Sequence, residues 1–282
     1  MPLFPTLPVK FGYRSQSEDT SIEVDVFYFS ALRQKSQHGR IERFISFNQS
    51  TRQFCRVALQ SQKPEASARL EYVRRRLGQD WCDRVLDAEG EIVVADPITV
   101  AAKVITILDS LSIDYYIGGS VASSLWGESC YTEDLNLIIE LDETKVRPLV
   151  EAFLNASFYI SDSAVEEAVS GRCSSFNVLD NETLEKTDLF VLQNTDFARS
   201  KMNRRIQQEL PDGRLLWLSS PEDIVLQKLV WGWSSQSQKQ WRDVLGVLKL
   251  QGDRLDFDYL WHWAGKLEIA EALDQAFREA GL

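Results

Sequence analysis

Apolar residues recur at helical spacing in the first and last thirds of the chain, while the middle third alternates short apolar runs with helical stretches. In the first third, Asp19-Thr20-Ser21 can cap a helix running to about Gln34. A Ser36-Gln37-His38-Gly39 break precedes a second helix carrying Ile41, Phe44 and Phe47 through to Leu59. Pro64 opens a third, in which Leu70, Tyr72 and Val73 precede Arg74-Arg75-Arg76 and Gly78. These helices predict a small bundle, with residues 1–18, rich in Pro2, Pro5 and Pro8, as an extended lead-in.

Asp96-Pro97 begins a different pattern. A helix is expected over Val100–Leu111, a strand at Tyr115–Ile117 and a short helix over Ser120–Trp126. Further strands are expected at Leu135–Leu141 and Phe158–Ile160, with a helix over Glu143–Leu154 between them and a weaker one at Val165–Val169. Ser175–Leu179 and Lys186–Leu192 read as a hairpin around Asn181. Helical periodicity returns after Ser220-Pro221-Glu222-Asp223, which combines a capping serine, a first-turn proline and first-turn acids. Four helices follow, over Glu222–Trp231, Lys239–Leu250, Phe257–Gly265 and Glu268–Ala280. The fold class predicted is α+β. It comprises a helical bundle over 1–95, a central mixed sheet with flanking helices over 96–213, and a helical region over 214–282.

Composition narrows the chemistry. With 282 residues, 44% of them hydrophobic, the chain can bury a core and suggests roughly two domains. No apolar run reaches the ~18 residues that a membrane helix needs, and the N-terminus lacks the basic-then-apolar order of a signal peptide. A cytoplasmic protein with no membrane partner is expected. Cys55, Cys82, Cys130 and Cys173 are scattered, and the only histidines are His38 and His262, which argues against zinc and against His-dependent nucleophilic catalysis. The net charge of −11 is uneven: residues 1–95 carry 14 basic and 12 acidic residues, the remainder 17 and 30. A nucleic-acid partner would therefore have to meet a local basic patch. Arg74–Arg76 and the trio Lys201, Arg204 and Arg205 are the candidates, each read first as a solvated helix face. Most tryptophans, from Trp217 to Trp263, are read as packing residues rather than base-stacking platforms.

One constellation carries chemistry. Tyr115-Tyr116-Ile117 runs into Gly118-Gly119-Ser120 and a helix. The glycines let the backbone approach a phosphate, the helix start offers free N–H groups, and Ser120 adds a hydroxyl. In Thr132-Glu133-Asp134-Leu135-Asn136-Leu137, Asp134 and Asn136 share a strand face while the leucines enter the core. Asp188, in Lys186-Thr187-Asp188-Leu189-Phe190, is placed to add a second carboxylate from an adjacent strand. Mg²⁺ takes several hard oxygen ligands, usually one or two carboxylates with substrate phosphates.

Gly118-Gly119-Ser120, Asp134-x-Asn136 and the later Asp188 together resemble the nucleotidyltransferase superfamily with the DNA-polymerase-beta-type fold, and most of all the AbiEii-type enzymes of bacterial toxin–antitoxin systems. The resemblance covers roughly residues 96–282. Within it, Pro221–Trp231 looks like a helix with a nucleotide-contacting lysine, here Lys228, and Gln240-Trp241-Arg242-Asp243-Val244 like a second helical motif. It implies Mg²⁺-dependent transfer of a nucleoside monophosphate from an NTP to an acceptor hydroxyl on a tRNA, a protein or a small molecule. Asp134 and Asp188 would be catalytic and, with Asn136, hold metal. Gly118, Gly119, Ser120 and Lys228 would bind the nucleotide.

Two positions depart from the family pattern. Asn136 stands where a second aspartate helps hold both metals, and its neutral amide is a weaker ligand than a carboxylate. Cys130 stands where an arginine is usual. They open a different reading: a catalytically degenerate nucleotidyltransferase fold acting as a nucleotide- or partner-binding regulatory module, with a protein partner meeting the N-terminal helices. Arg242 and Asp243 are further expected to pair on helix faces.

Overall fold

A computed structural model describes residues 10–62, 71–75, 77–78 and 93–282. The proline-rich start, Pro64, Leu70, Arg76 and Cys82 lie outside the described residues. The chain is mixed α and β, and it divides into two compact units that interleave along the sequence. One comprises Ile45–Ile117 and Tyr131–Ala198; the other comprises Met1–Phe44, Gly118–Cys130 and Arg199–Leu282.

The first unit holds a sheet. Its strands are β1 (Tyr115–Ile117), β2 (Leu135–Ile139), β3 (Phe158–Tyr159), β4 (Ser175–Asp180) and β5 (Lys186–Val191), in the order β3-β4-β5-β2-β1. β2 and β5 run parallel; the other pairs are antiparallel. The parallel pair requires a crossover, and the chain between β2 and β5 supplies it with helices over Glu143–Asn155 and Asp162–Val169. Leu135, Leu137 and Ile139 of β2 are each at most 2% exposed, whereas Asn136 and Ile138 are half-buried, as a period-two strand requires.

Two helices complete this unit. α2 (Gln37–Gln62) contributes its residues from Ile45 onward, and α3 spans Pro97–Ser110. The start of α3 follows from sequence: Asp96 accepts from the Ile98 and Thr99 amides at 2.9 and 3.1 Å, and Pro97 occupies the first turn. Leu59, Tyr72 and Val73 pack with Leu179 and Leu184, so the helical residues 71–75 belong to this core. Arg74 and Arg75 both pair with Glu71.

The second unit is mostly helical. α1 (Ile22–Arg33), α4 (Gly119–Trp126), α8 (Pro221–Ser235), α9 (Gln238–Gln251), α10 (Phe257–Lys266) and α11 (Ala270–Ala280) belong to it, with α5 (Glu143–Asn155) and α6 (Asp162–Val169) in the first unit and α7 (Asp196–Asn203) crossing the division. A hairpin of β6 (Ile206–Glu209) and β7 (Leu215–Leu218) completes it. α9 is the central element, packed against α1, α4, α8 and α11. Phe29 and Leu32 of α1 meet Leu250 of α9. Lys249 on α9 donates to Asp25 on α1 at 2.7 Å, with both side chains almost fully buried. Gly127 ends α4 where it meets α9: a Cβ there would lie 2.8 Å from the Val247 amide nitrogen.

Periodicity does not reveal α7 or the β6–β7 hairpin. Ile206-Gln207-Gln208-Glu209 has no apolar alternation, and it becomes a strand through its ladder to β7.

Candidate functional site: a carboxylate pair and its lysine

Adjacent strands β2 and β5 place Asn136 directly opposite Asp188. Asp134 precedes β2 and is exposed, Asn136 is half-buried, and the Asp188 side chain is 17% exposed. On β5, Lys186 and Asp188 share one face, while Thr187 and Leu189 are fully buried on the other. Lys186 Nζ lies 3.1 Å from Asp188 Oδ1 and 3.6 Å from Asp134 Oδ1. The ammonium therefore bridges the two carboxylates. Burial lifts the Asp188 carboxyl above its ordinary pKa range; Lys186 opposes the rise, and the neighbouring Asp134 charge adds to it.

Mg²⁺ is usually bound through one or two carboxylates together with substrate phosphates. Asp134 and Asp188 offer two carboxylates and Asn136 a neutral amide, and the single Lys186 ammonium offsets one of the two negative charges. Among the described residues, no group of three His, Cys, Asp or Glu side chains is placed to hold a metal ion.

The other site residues expected from sequence belong to the second unit. Gly118 caps α4 without a side-chain hydrogen bond, and Gly119 takes φ +58°, a conformation that favours glycine. Ser120 is half-buried. Lys228 on α8 is 2% exposed; it donates to Asp243 Oδ2 at 2.6 Å and to Gln240 Oε1 at 2.9 Å, both on α9. Its charge is thus committed within the helical unit. Asp243 pairs with Lys228 rather than Arg242, and Arg242 pairs with Glu128 at 3.0 Å. Cys130 is half-buried, and burial, aided by Asp243 and Glu128, pushes its thiol up to about 11.

The basic trio is not a solvated face. Lys201 donates to Gln227, Arg204 stacks 3.8 Å over the Tyr259 ring and reaches Glu222, and Arg205 stacks 4.8 Å from the Trp217 ring. Tyr259 donates to the fully buried Asp223 at 2.7 Å. Burial lowers the Lys201 pKa to about 8. Among the tryptophans, Trp263 is buried as expected, whereas Trp231, Trp233 and Trp261 are 41–47% exposed.

Lys186, Asn48 and Arg52 belong to none of the motifs in the sequence. Lys186 stands two residues before Asp188 on one strand, whereas Asn48 and Arg52 lie far from both in the chain.

No family model matches the chain, and no curated protein matches it. Solved structures do resemble it. One is an antigenic nucleotidyltransferase-like protein from Paracoccidioides brasiliensis, at 19% identity and TM-score 0.41, covering 65% of this chain and 92% of that one. Another is the antibiotic-resistance factor ANT(2'')-Ia in solution, at 12% identity and TM-score 0.41, covering 63% and 96%. A third is ANT(2'')-Ia in complex with adenylyl-2''-tobramycin, at 16% identity and TM-score 0.38, covering 62% and 95%. No described helix is long and apolar enough to cross a membrane.

Proposed function

We propose that this chain is a catalytically degenerate, nucleotidyltransferase-like protein that works as a nucleotide- or partner-binding regulatory module. The observation that carries the reading is the Lys186 ammonium bridging Asp134 and Asp188, with Asn136 in the remaining position. Phosphoryl chemistry of the expected kind depends on concentrated positive charge at the phosphates, supplied by metal held between carboxylates. Here a lysine ammonium sits between the two carboxylates and offsets one of their charges.

Each residue then has a non-catalytic part. Asp134 and Asp188 hold Lys186 in place, and Asn136 adds a neutral donor and acceptor beside them. Gly118, Gly119 and Ser120 supply backbone and hydroxyl groups suited to phosphate oxygens. Lys228 joins α8 to α9. A partner surface is supported by α2, where Phe47, Phe54 and Val57 are 46%, 76% and 52% exposed. These three fall on one side of the helix, at spacings of seven and three residues. In the toxin–antitoxin setting that the resemblance implies, such a module acts by holding a nucleotide or a partner.

The test is calorimetric titration of ATP and the other NTPs, in Mg²⁺ and in EDTA, with pyrophosphate release measured in parallel. Binding of equal strength in both buffers and no pyrophosphate release are expected. Mg²⁺-dependent pyrophosphate release would sink the reading in favour of an active transferase.

A further inference from the structure

Asp134 stands outside the β2 ladder, which begins at Leu135, so strand pairing does not fix its backbone. Two side chains of α2 hold Thr132, two residues before it. Asn48 Oδ1 accepts from the Thr132 amide at 3.1 Å, and Arg52 Nη2 donates to the Thr132 carbonyl at 3.0 Å. Asn48 and Arg52 are one helical turn apart, hence on one face of α2, and are 0% and 1% exposed. One residue of the approach to Asp134 is thus held at both its donor and its acceptor. Thr132 passes the constraint on: its hydroxyl donates to the Asp134 carbonyl at 3.1 Å.

Arg52 also reaches the other strand. Its Nη1 donates to the Ala95 carbonyl at 2.7 Å and pairs with the buried Glu185, which directly precedes Lys186. Glu185 and two carbonyls engage both terminal nitrogens of this buried guanidinium. The same arginine therefore touches the entrances of both strands that carry the cluster.

We infer that α2 is the positioning element of the Asp134–Lys186–Asp188 cluster, with Asn48 and Arg52 as positioning residues that fix the approach to Asp134 and tie it to the residue before Lys186. The outward side of the same helix carries the exposed Phe47, Phe54 and Val57. The functional weight of this clamp rests on the regulatory reading proposed above; its physical existence does not.

Amide hydrogen exchange on the full chain separates the two. Asn48→Ala should speed exchange of residues 132–136 tenfold or more while leaving β4 and the outer half of β5 unchanged. Asn48→Asp keeps an acceptor for the Thr132 amide and should restore protection. The double change Arg52→Met with Glu185→Leu removes both buried charges together and should loosen the same segment, which keeps the test open if Asn48→Ala folds poorly. ATP affinity measured on the same samples should fall at least fivefold in Asn48→Ala and recover in Asn48→Asp. Unchanged exchange at 132–136, or equal acceleration throughout the unit, overturns the inference. Wild-type protein that binds no nucleotide overturns the regulatory reading for nucleotides, while the exchange data still decide the clamp.

Discussion

Lys186 Nζ lies 3.1 Å from Asp188 Oδ1, two residues further along the same face of β5, and the same ammonium reaches Asp134 at 3.6 Å. A strand delivers such an i, i+2 pair automatically, because both side chains leave the same face. The lysine is therefore a fixed feature of the carboxylate ledge.

Removing that cation should open the ledge to metal. In Lys186→Met, Asp134 and Asp188 lose their shared counter-charge, and Mn²⁺ should bind about tenfold more tightly than in wild type, ~1.4 kcal/mol. The gain stays modest because the Asp134 side chain is 56% exposed and solvent screens it. Electron paramagnetic resonance titration with Mn²⁺ reads this directly. Equal affinities in the two proteins would show that Lys186 does not compete with metal.

Asn136→Asp restores a carboxylate opposite Asp188. Alone it should raise metal affinity a few-fold and yield no pyrophosphate release from NTPs, since Lys186 remains between the other two carboxylates. Recovery of turnover on this single change would mark the chain as an enzyme impaired at one ligand only.

The Lys228–Asp243 pair should behave as structure. Both side chains are under 10% exposed, so Asp243→Ala strands a buried ammonium and should cost about 3–5 kcal/mol in urea unfolding. Lys228→Met combined with Asp243→Leu should recover most of that loss. Lys228→Met that folds normally yet loses nucleotide binding selectively would instead assign the lysine to the ligand.

Lys201 gives a pH signature. Its folded pKa is depressed to about 8 by burial, below the ordinary lysine value. The folded state therefore disfavours the proton: the lysine's contribution to stability is fully present above its unfolded pKa and is lost as pH falls through about 8. Between pH 8 and about 10.5, wild type should gain stability relative to Lys201→Met, which has no such group. Urea midpoints of the two proteins across this range test it; parallel pH curves would contradict the depressed value.

Much of this was legible from the order of residues, for local reasons. The Ser220-Pro221 start of α8, the Asp96-Pro97 start of α3 and the three-residue β1 follow from capping chemistry and periodicity, which act within a few residues. The alternation that buries Leu135 and Leu137 leaves Asn136 half-buried between them. Tertiary structure decided the rest. β6 has no apolar pattern and exists through β7. Lys201, Arg204 and Arg205 look like a solvated basic run, yet Gln227, Tyr259 and Trp217 enclose them from other segments. Residues 1–44 join 199–282 in one unit while 45–117 join 131–198 in the other, a pairing that depends on segments far apart in the chain meeting in space. The sequence determined that Lys186 and Asp188 would leave one face of their strand, and that Asn136 would lie on the opposite side of its strand from Leu135 and Leu137. Only the packing of β5 beside β2, and of α2 on Thr132, decided that a lysine would stand between the carboxylates, because charge compensation depends on distance in space.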